Sequence, residues 1–322
     1  MSGIGVVLNP KSRRNLRDPG AAVRLARRLG DHGVLRSATS HEELYRIAED
    51  FLREDIDVLA ISGGDGTGHV TLTGFLDVYR GARVPEVALL RGGTMNTVAN
   101  SIGVARGEPE GLLARLIRAY ARRGHQPLTA VERHVMRIAP AAGGQAHVGF
   151  LFGTGVVHGF LAEYYRHGQP TPVVAAKTLA RGVASTLVHG ETIRQMAEPF
   201  RGSVVLDDGT EWPDREYITV AAGTVADLGL GFKPFHRYGE RPGAFHMLGI
   251  HASALSLVAE LPRIRFSLPI REGKAYSALP GRAILRSTSA SPGIKYMIDG
   301  DLHEVPGRGL AVEIGPRVRL VV

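Results

Sequence analysis

The sequence predicts an α/β domain followed by an all-β domain, and three observations carry that expectation. Over residues 1–125, short apolar runs alternate with amphipathic helical segments, and three of those runs end in small-residue turns. Beyond residue 125, helical periodicity gives way to short strands broken by Gly, Pro and Asp. The first pattern implies a doubly wound parallel sheet whose ligand crevice lies beyond the carboxyl ends of the strands. The second implies a sandwich of two packed sheets. The expected domains are therefore 1–125, α/β, and 126–322, a β-sandwich.

In the first domain, Ile4 to Leu8 reads as a strand ending at Asn9-Pro10-Lys11-Ser12. Ala21 to Leu29 reads as a helix, Val34 to Ser37 as a strand and Glu42 to Glu54 as a second helix. Val58 to Ile61 is apolar throughout, as in a strand buried on both faces, and it stops at Ser62-Gly63-Gly64-Asp65-Gly66-Thr67. The helical spacing of Val70, Leu72 and Leu76 makes that turn open a helix. Val87 to Leu90 is the next strand, ending in Arg91-Gly92-Gly93-Thr94-Met95-Asn96 before a helix over Thr97 to Ile102. Ala114 to Arg122 closes the domain.

In the second domain, strands are expected at Val131 to Ile138, Ala146 to Phe150, Ser203 to Leu206, Tyr217 to Ala221 and Phe245 to Ile250. Others are expected at Ile264 to Leu268, Ala283 to Ser287, Tyr296 to Ile298, Leu310 to Ile314 and Val318 to Val322. Helices interrupt them at Gly159 to Tyr165, Val173 to His189 and Ser253 to Leu261. The Val173 helix is apolar on much of its circumference, which suits packing on the sandwich or lining an apolar pocket.

Composition narrows the function. The formal charge of +8, carried mostly by arginine, favours anionic partners: nucleotides, acidic lipid headgroups or nucleic acid. Basic and aromatic residues are not interleaved as in an RNA-binding sheet, so nucleic acid is not expected. The absence of cysteine excludes disulfides, thiol nucleophiles and cysteine-held zinc. No apolar run approaches the ~18 residues that span a bilayer, and the N-terminal charges follow the apolar piece, opposite to a secretion signal. A cytoplasmic protein is expected. The histidines, among them His134, His147, His158, His236, His246 and His251, form no i, i+4 pair and read as surface or core residues rather than ligands.

The turn at 62–67 is suited to phosphate. Glycine permits close backbone approach, and a helix N-terminus carries unpaired N–H groups and roughly half a positive charge. It is neither G-x-x-x-x-G-K-[ST] nor G-x-G-x-x-G. An ordinary strand-to-helix turn would also use glycine, but three such turns at strand ends are harder to ascribe to geometry alone.

Ser62 to Thr67, followed by Leu90-Arg91-Gly92-Gly93-Thr94-Met95-Asn96-Thr97-Val98-Ala99, resembles the catalytic domain of the diacylglycerol kinase family, which includes sphingosine kinases and bacterial YegS-type lipid kinases. Asn9-Pro10-Lys11-Ser12 matches the family's first strand-end turn, Phe152-Gly153-Thr154 the start of its second domain, and Asp299-Gly300-Asp301 its late Asp-Gly-Glu element. The resemblance implies a lipid kinase of phospholipid metabolism, with ATP and Mg²⁺ bound in a cleft between the two domains and a lipid hydroxyl as acceptor. It implies peripheral contact with the inner face of the membrane, and it leaves a homodimer open. Gly63, Gly64, Asp65, Gly66 and Thr67 would wrap the phosphates, and Asp65 would hold the nucleotide's Mg²⁺ or its ribose-phosphate region. Asn9, Lys11, Thr39, Gly93, Thr94 and Asn96 would line the same site. Asp299 is the expected base for the lipid hydroxyl, supported by Asp301, which in a strand would point the same way. Asp-Gly after an alternating strand is equally a hairpin turn, as Asp208-Gly209 is expected to be.

The chain departs from the family in four places. Arg13-Arg14-Asn15 replaces glycines, Thr97 stands where an Asp is common, and Asp301 replaces Glu. Gly239-Glu240-Arg241-Pro242-Gly243 has Pro242 where bacterial members have an Asp that helps bind a structural Mg²⁺, so that accessory site is expected to be absent. Two alternatives stay open: a soluble-substrate kinase like the NAD kinases, which share Gly-Gly-Asp-Gly, and a non-catalytic binder that kept the nucleotide turns.

Overall fold

A computed structural model describes residues 3–166, 171–187, 198–290 and 293–322. The chain divides into two compact units, Met1–Arg133 with Arg317–Val322, and His134–Pro316.

The first unit is α/β. Four parallel strands, β1 (Ile4–Leu8), β2 (Gly33–Ser37), β3 (Val58–Ser62) and β4 (Glu86–Leu89), lie in the order β2-β1-β3-β4. Their connections are α1 (Arg13–Arg17), α2 (Ala21–Leu29), α3 (His41–Arg53), α4 (Asp65–Val78), α5 (Thr97–Ser101) and α6 (Pro109–Ala121). Alternation along β1 shows why both faces are covered. Ile4, Val6 and Leu8 join a core with Leu25 and Leu29 of α2 and Leu113 and Leu116 of α6. Gly5 faces the other way, where a Cβ would stand 2.4 Å from the Phe51 ring of α3. Phe51 in turn meets Phe75 of α4 edge-on, with ring centroids 5.9 Å apart. A fifth parallel strand comes from the far end of the sequence: Leu320 and Val321 pair with Val87 and Ala88 of β4.

Register fixes where ligands can approach. Leu8 lies between Ser37 and Ser62, and Ile61 opposite Leu89, so β1, β2, β3 and β4 deliver their outgoing turns to one edge of the sheet.

The second unit is two antiparallel layers with helices. Its elements are β5 (Ala130–Pro140, entering from the first unit), β6 (His147–Gly149), β7 (Leu151–Thr154), α7 (Val156–Arg166), α8 (Pro172–Leu187), β8 (Phe200–Leu206), β9 (Glu211–Tyr217), β10 (Thr219–Gly223) and β11 (His246–Ile250). They continue with α9 (Ala254–Arg265), β12 (Ala275–Ala278), β13 (Arg282–Ser287), β14 (Ile294–Ile298), β15 (Asp301–Val305) and β16 (Gly309–Val321). One layer runs β16-β13-β8-β9, with β5 on β16 and β6 on β5; the other runs β12-β11-β10-β7-β14-β15. A shared core of Met136, Phe152, Val204, Trp212, Tyr217, Phe245, Met247, Leu285, Ile298 and Leu310 joins them, which is the expected sandwich.

Several expectations need correction. No strand exists over 264–268: α9 runs through Pro262 to Arg265, because proline removes one N–H without ending the turn. Leu310 to Ile314 and Val318 to Val322 are one strand, β16. Strands β7, β9, β12 and β15 and helix α1 are not expected from the sequence. Residues 188 and 189, expected at the end of the helix over Val173 to His189, lie outside the described residues; α8 itself packs against α7 and α9.

Candidate functional site

In the first unit, the strand-end turns converge through side chains as well as register. Asn9 N–H donates to Ser62 O at 3.2 Å, carrying the chain out of β1 alongside β3. Its Nδ2 donates to Thr67 Oγ1 at 3.1 Å, and its Oδ1 accepts from Lys11 N–H at 2.9 Å. Asn15, buried in α1, donates from Nδ2 to Asn9 O at 2.7 Å and holds the turn from below. Lys11 Nζ donates to Thr39 O at 2.9 Å. Thr39 precedes α3, and Glu43 Oε2 accepts from its N–H at 2.7 Å and its hydroxyl at 2.6 Å. Ser40 caps the same helix by accepting from Glu43 N–H. The Thr39 hydroxyl bond is the first cause holding the Glu43 carboxyl below the usual carboxylate range.

The two glycine turns are packed on each other. A Cβ on Gly93 would stand 2.3 Å from the Gly64 Cα, and one on Gly92 would stand 2.9 Å from the Gly63 N. Glycine is required here because two backbones touch. Asp65 then locks the pair. It opens α4, and its carboxylate accepts from the N–H groups of Thr97 at 2.8 Å and Val98 at 3.2 Å, so the first residue of one helix caps the next. Burial pushes the Asp65 carboxyl up, against the opposing effect of those N–H bonds. Asn96 adopts the left-handed conformation (φ 48°) before α5, and its side chain closes on Gly93 through both N–H and C=O, at 3.1 and 2.8 Å.

Gly64 is the N-cap of α4 and supplies no side-chain cap. Lys11 and Arg13 stand beside these turns, Arg13 donating to Thr94 Oγ1 at 3.4 Å. A helix N-terminus, backbone amides and two cations form a donor set that fits a polyphosphate. Asn9, Lys11, Thr39, Gly63 to Thr67, Gly93, Thr94 and Asn96 are thus brought together in one unit. The sequence shows Asn15 only as part of a departure from the family pattern and Arg91 only as part of the second glycine motif, and neither bracing role is visible there. Arg91 (φ 51°) donates to Val104 O at 2.9 Å and to Asn100 Oδ1, bracing the second turn.

Asp299 and Asp301 lie in the second unit. Asp299-Gly300 is the two-residue turn between β14 and β15, with φ of 43° and 91°, and Ile298 pairs with Asp301 across it. Asp299 is therefore outside the strand, and the expectation that it points the same way as Asp301 by strand alternation does not hold. Its carboxyl group is buried and accepts from Phe150 N–H at 3.0 Å and Leu151 N–H at 2.8 Å. Tyr165 of α7 donates to Gly300 O at 2.8 Å. Asp208-Gly209 is the expected turn between β8 and β9, with Thr210 N–H donating to Asp208 Oδ1 at 2.8 Å.

Residues 3–125 match the diacylglycerol kinase catalytic domain. That match covers less than half of the chain and falls within the first unit. No curated protein sequence matches it. Among solved structures, a diacylglycerol kinase of Bacillus anthracis strain Sterne is similar with a TM-score of 0.63 at 14% identity, covering 99% of this chain and 96% of that one. A candidate diacylglycerol kinase of the same strain gives 0.67 at 14% identity, with the same coverage. At that identity the likeness shows the fold, and it extends across both units.

Within the matched residues, the departures from the family pattern have visible consequences. Arg13-Arg14-Asn15 form the start of α1, Arg14 pairing with Glu108 while Arg13 and Asn15 turn to the site. Thr97, where an Asp is common, is buried and adds a hydroxyl bond to Asp65. In the second unit, Glu240 is paired with Arg237 at 3.0 Å. Among the described residues, no helix is long and apolar enough to cross a membrane.

Proposed function

We propose that the protein is an ATP-dependent lipid kinase that transfers the terminal phosphoryl group to the hydroxyl of a diacylglycerol or sphingoid-like lipid. What supports the reading above all is the amide-lined pair of glycine turns, locked by Asp65, within a diacylglycerol kinase catalytic domain. The first unit holds the nucleotide. Lys11, Arg13 and the amides at the start of α4 neutralise its phosphates, and Asn9, Thr39, Thr67, Thr94 and Asn96 shape the turns around it. Mg²⁺ supplies charge neutralisation on the phosphates when bound with ATP. Asp65, which already accepts from two N–H groups and the Thr97 hydroxyl, would be the residue that holds it.

Asp299 is the base. In the transfer, the lipid oxygen bonds to the terminal phosphorus, the bond from that phosphorus to ADP breaks, and the hydroxyl proton passes to the Asp299 carboxylate. The N–H groups of Phe150 and Leu151 hold that carboxylate in place. Asp301 is a supporting acid on β15. Such a protein works at the inner face of the membrane while remaining peripheral to it.

Purified protein incubated with labelled ATP, Mg²⁺ and a panel of lipids should label at least one lipid. Asp299→Asn should lose about 10²-fold or more in turnover while retaining ATP affinity. A melting curve checks that the turn survives loss of one acceptor oxygen. Transfer to no lipid, or an Asp299→Asn variant as active as wild type, would end this assignment.

A further inference from the structure

The stretch Arg263-Ile264-Arg265-Phe266-Ser267-Leu268-Pro269-Ile270-Arg271 contains none of the residues assigned above to phosphoryl transfer. Helix α9 ends at Arg265, and Ser267 then adopts the left-handed conformation at φ 57°. The Leu268 N–H returns to Arg263 O at 2.9 Å and the Ser267 N–H to Ile264 O at 3.2 Å, the paired bonds of a Schellman stop. Such a stop ordinarily tucks the following apolar residue against the helix. Here it projects two outward: Phe266 is 76% exposed and Leu268 47%. Single exposed apolar residues are common, but a phenylalanine and a leucine side by side at a rigid turn are not.

The turn is held from both sides. Arg263 Nε donates to Pro269 O at 3.0 Å. Beyond it, Arg271 and Lys274 converge on the buried Glu260 of α9, at 3.0 and 2.7 Å. Arg265 is exposed beside Phe266 and donates to Gly231 O at 2.9 Å, which ties the helix end to the 231 loop. Over residues 260–274 there are four basic side chains and two acids, one of which is buried. The segment that bears the apolar tip thus carries net positive charge: Arg263, Arg271 and Lys274 share the single Glu260 carboxylate, and Arg265 stands exposed beside Phe266.

We propose that the Phe266-Ser267-Leu268 turn is a membrane-docking tip. Its apolar side chains would enter the interfacial region of an anionic phospholipid surface, and the exposed Arg265 beside them would face the headgroup phosphates. Charge complementarity selects this occupant: a second copy would bring like charge against like, whereas an anionic leaflet attracts each basic group. The tip deepens the peripheral membrane contact of the proposed function and rests on that reading, but its test needs no phosphoryl transfer.

Co-flotation of the full chain with phosphatidylcholine vesicles, with and without phosphatidylserine, tests it in the absence of ATP and of any acceptor lipid. Binding should require phosphatidylserine and weaken with salt. Phe266→Ser/Leu268→Ser, which removes only exposed side chains, should lower the partition coefficient by about tenfold or more. Phe266→Trp supplies a local probe, because Trp212 is buried and gives a constant background; its emission should shift to the blue on adding anionic vesicles. Unchanged binding by the double variant, or no spectral shift at 266, would overturn the proposal. A blue shift that depends on protein concentration without vesicles would overturn it in favour of self-association.

Discussion

At the level of single residues, what distinguishes the nucleotide turns is backbone meeting backbone. Gly93 and Gly68 both sit in glycine-rich stretches, yet their surroundings differ. A Cβ on Gly93 would stand 2.3 Å from the Gly64 Cα, whereas nothing lies within 4 Å of one on Gly68, inside α4. Gly93→Ala should therefore cost about 1–3 kcal/mol in urea denaturation, because neither turn can yield without disturbing the other. Gly68→Ala should gain about 1 kcal/mol from helix propensity. Equal stability of the two variants would contradict the packing of one turn on the other. The sequence makes both glycines visible and does not separate them. Asp65 is similar: its place in Gly-Asp-Gly is evident, but its bonds to Thr97 and Val98 depend on two turns meeting in space, and no local pattern encodes that.

Among the elements, legibility follows from how many signals agree. Strand β1 and helix α2 fall on their expected bounds because an unbroken apolar run and a clear helical stripe each admit one period. Strands β9 and β15 were missed because charged and exposed residues dominate them: Glu211, Asp214, Arg215 and Glu216 in one, Asp301, His303 and Glu304 in the other. Helix α9 misled for a different reason. Proline at 262 reads as a stop, and the true stop has serine where glycine is usual, so the tail of the helix passes for a strand. That serine should be suboptimal. Ser267→Gly is expected to raise stability by about 1 kcal/mol, since glycine takes up the left-handed conformation without the cost that an L side chain carries. Denaturant midpoints of the two proteins, compared at equal m-value, measure it. A lower midpoint for the glycine variant would mean that the Ser267 side chain stabilises the stop.

For the whole molecule, the least legible feature is the return of the chain's end to its beginning. The sequence places a strand near 318–322 but assigns it to the sandwich, since nothing local says which sheet a short apolar run joins. In the structure, Val318 and Leu320 are buried, Leu320 pairs with Val87, and Arg319 meets Glu86 at 3.3 Å within the first unit. Val322 N–H donates to Thr129 O at 3.0 Å. The edge of β4 is thereby covered, and β4 is the strand that launches the second glycine turn. Leu320→Ala should then destabilise the nucleotide-binding unit by about 2–5 kcal/mol, although every loop of that unit precedes it by most of the chain. Hydrogen exchange followed by fragment should show the loss in β3, β4 and the turns at 62–67 and 91–96. Loss confined to β13 and β8 would mean instead that the C-terminal strand serves the sandwich alone. Gly93→Ala and Leu320→Ala are far apart in sequence but act on the same sheet edge, so both should loosen amides at the start of α4 and α5. Variants of the exposed Phe266 turn should leave those amides unchanged.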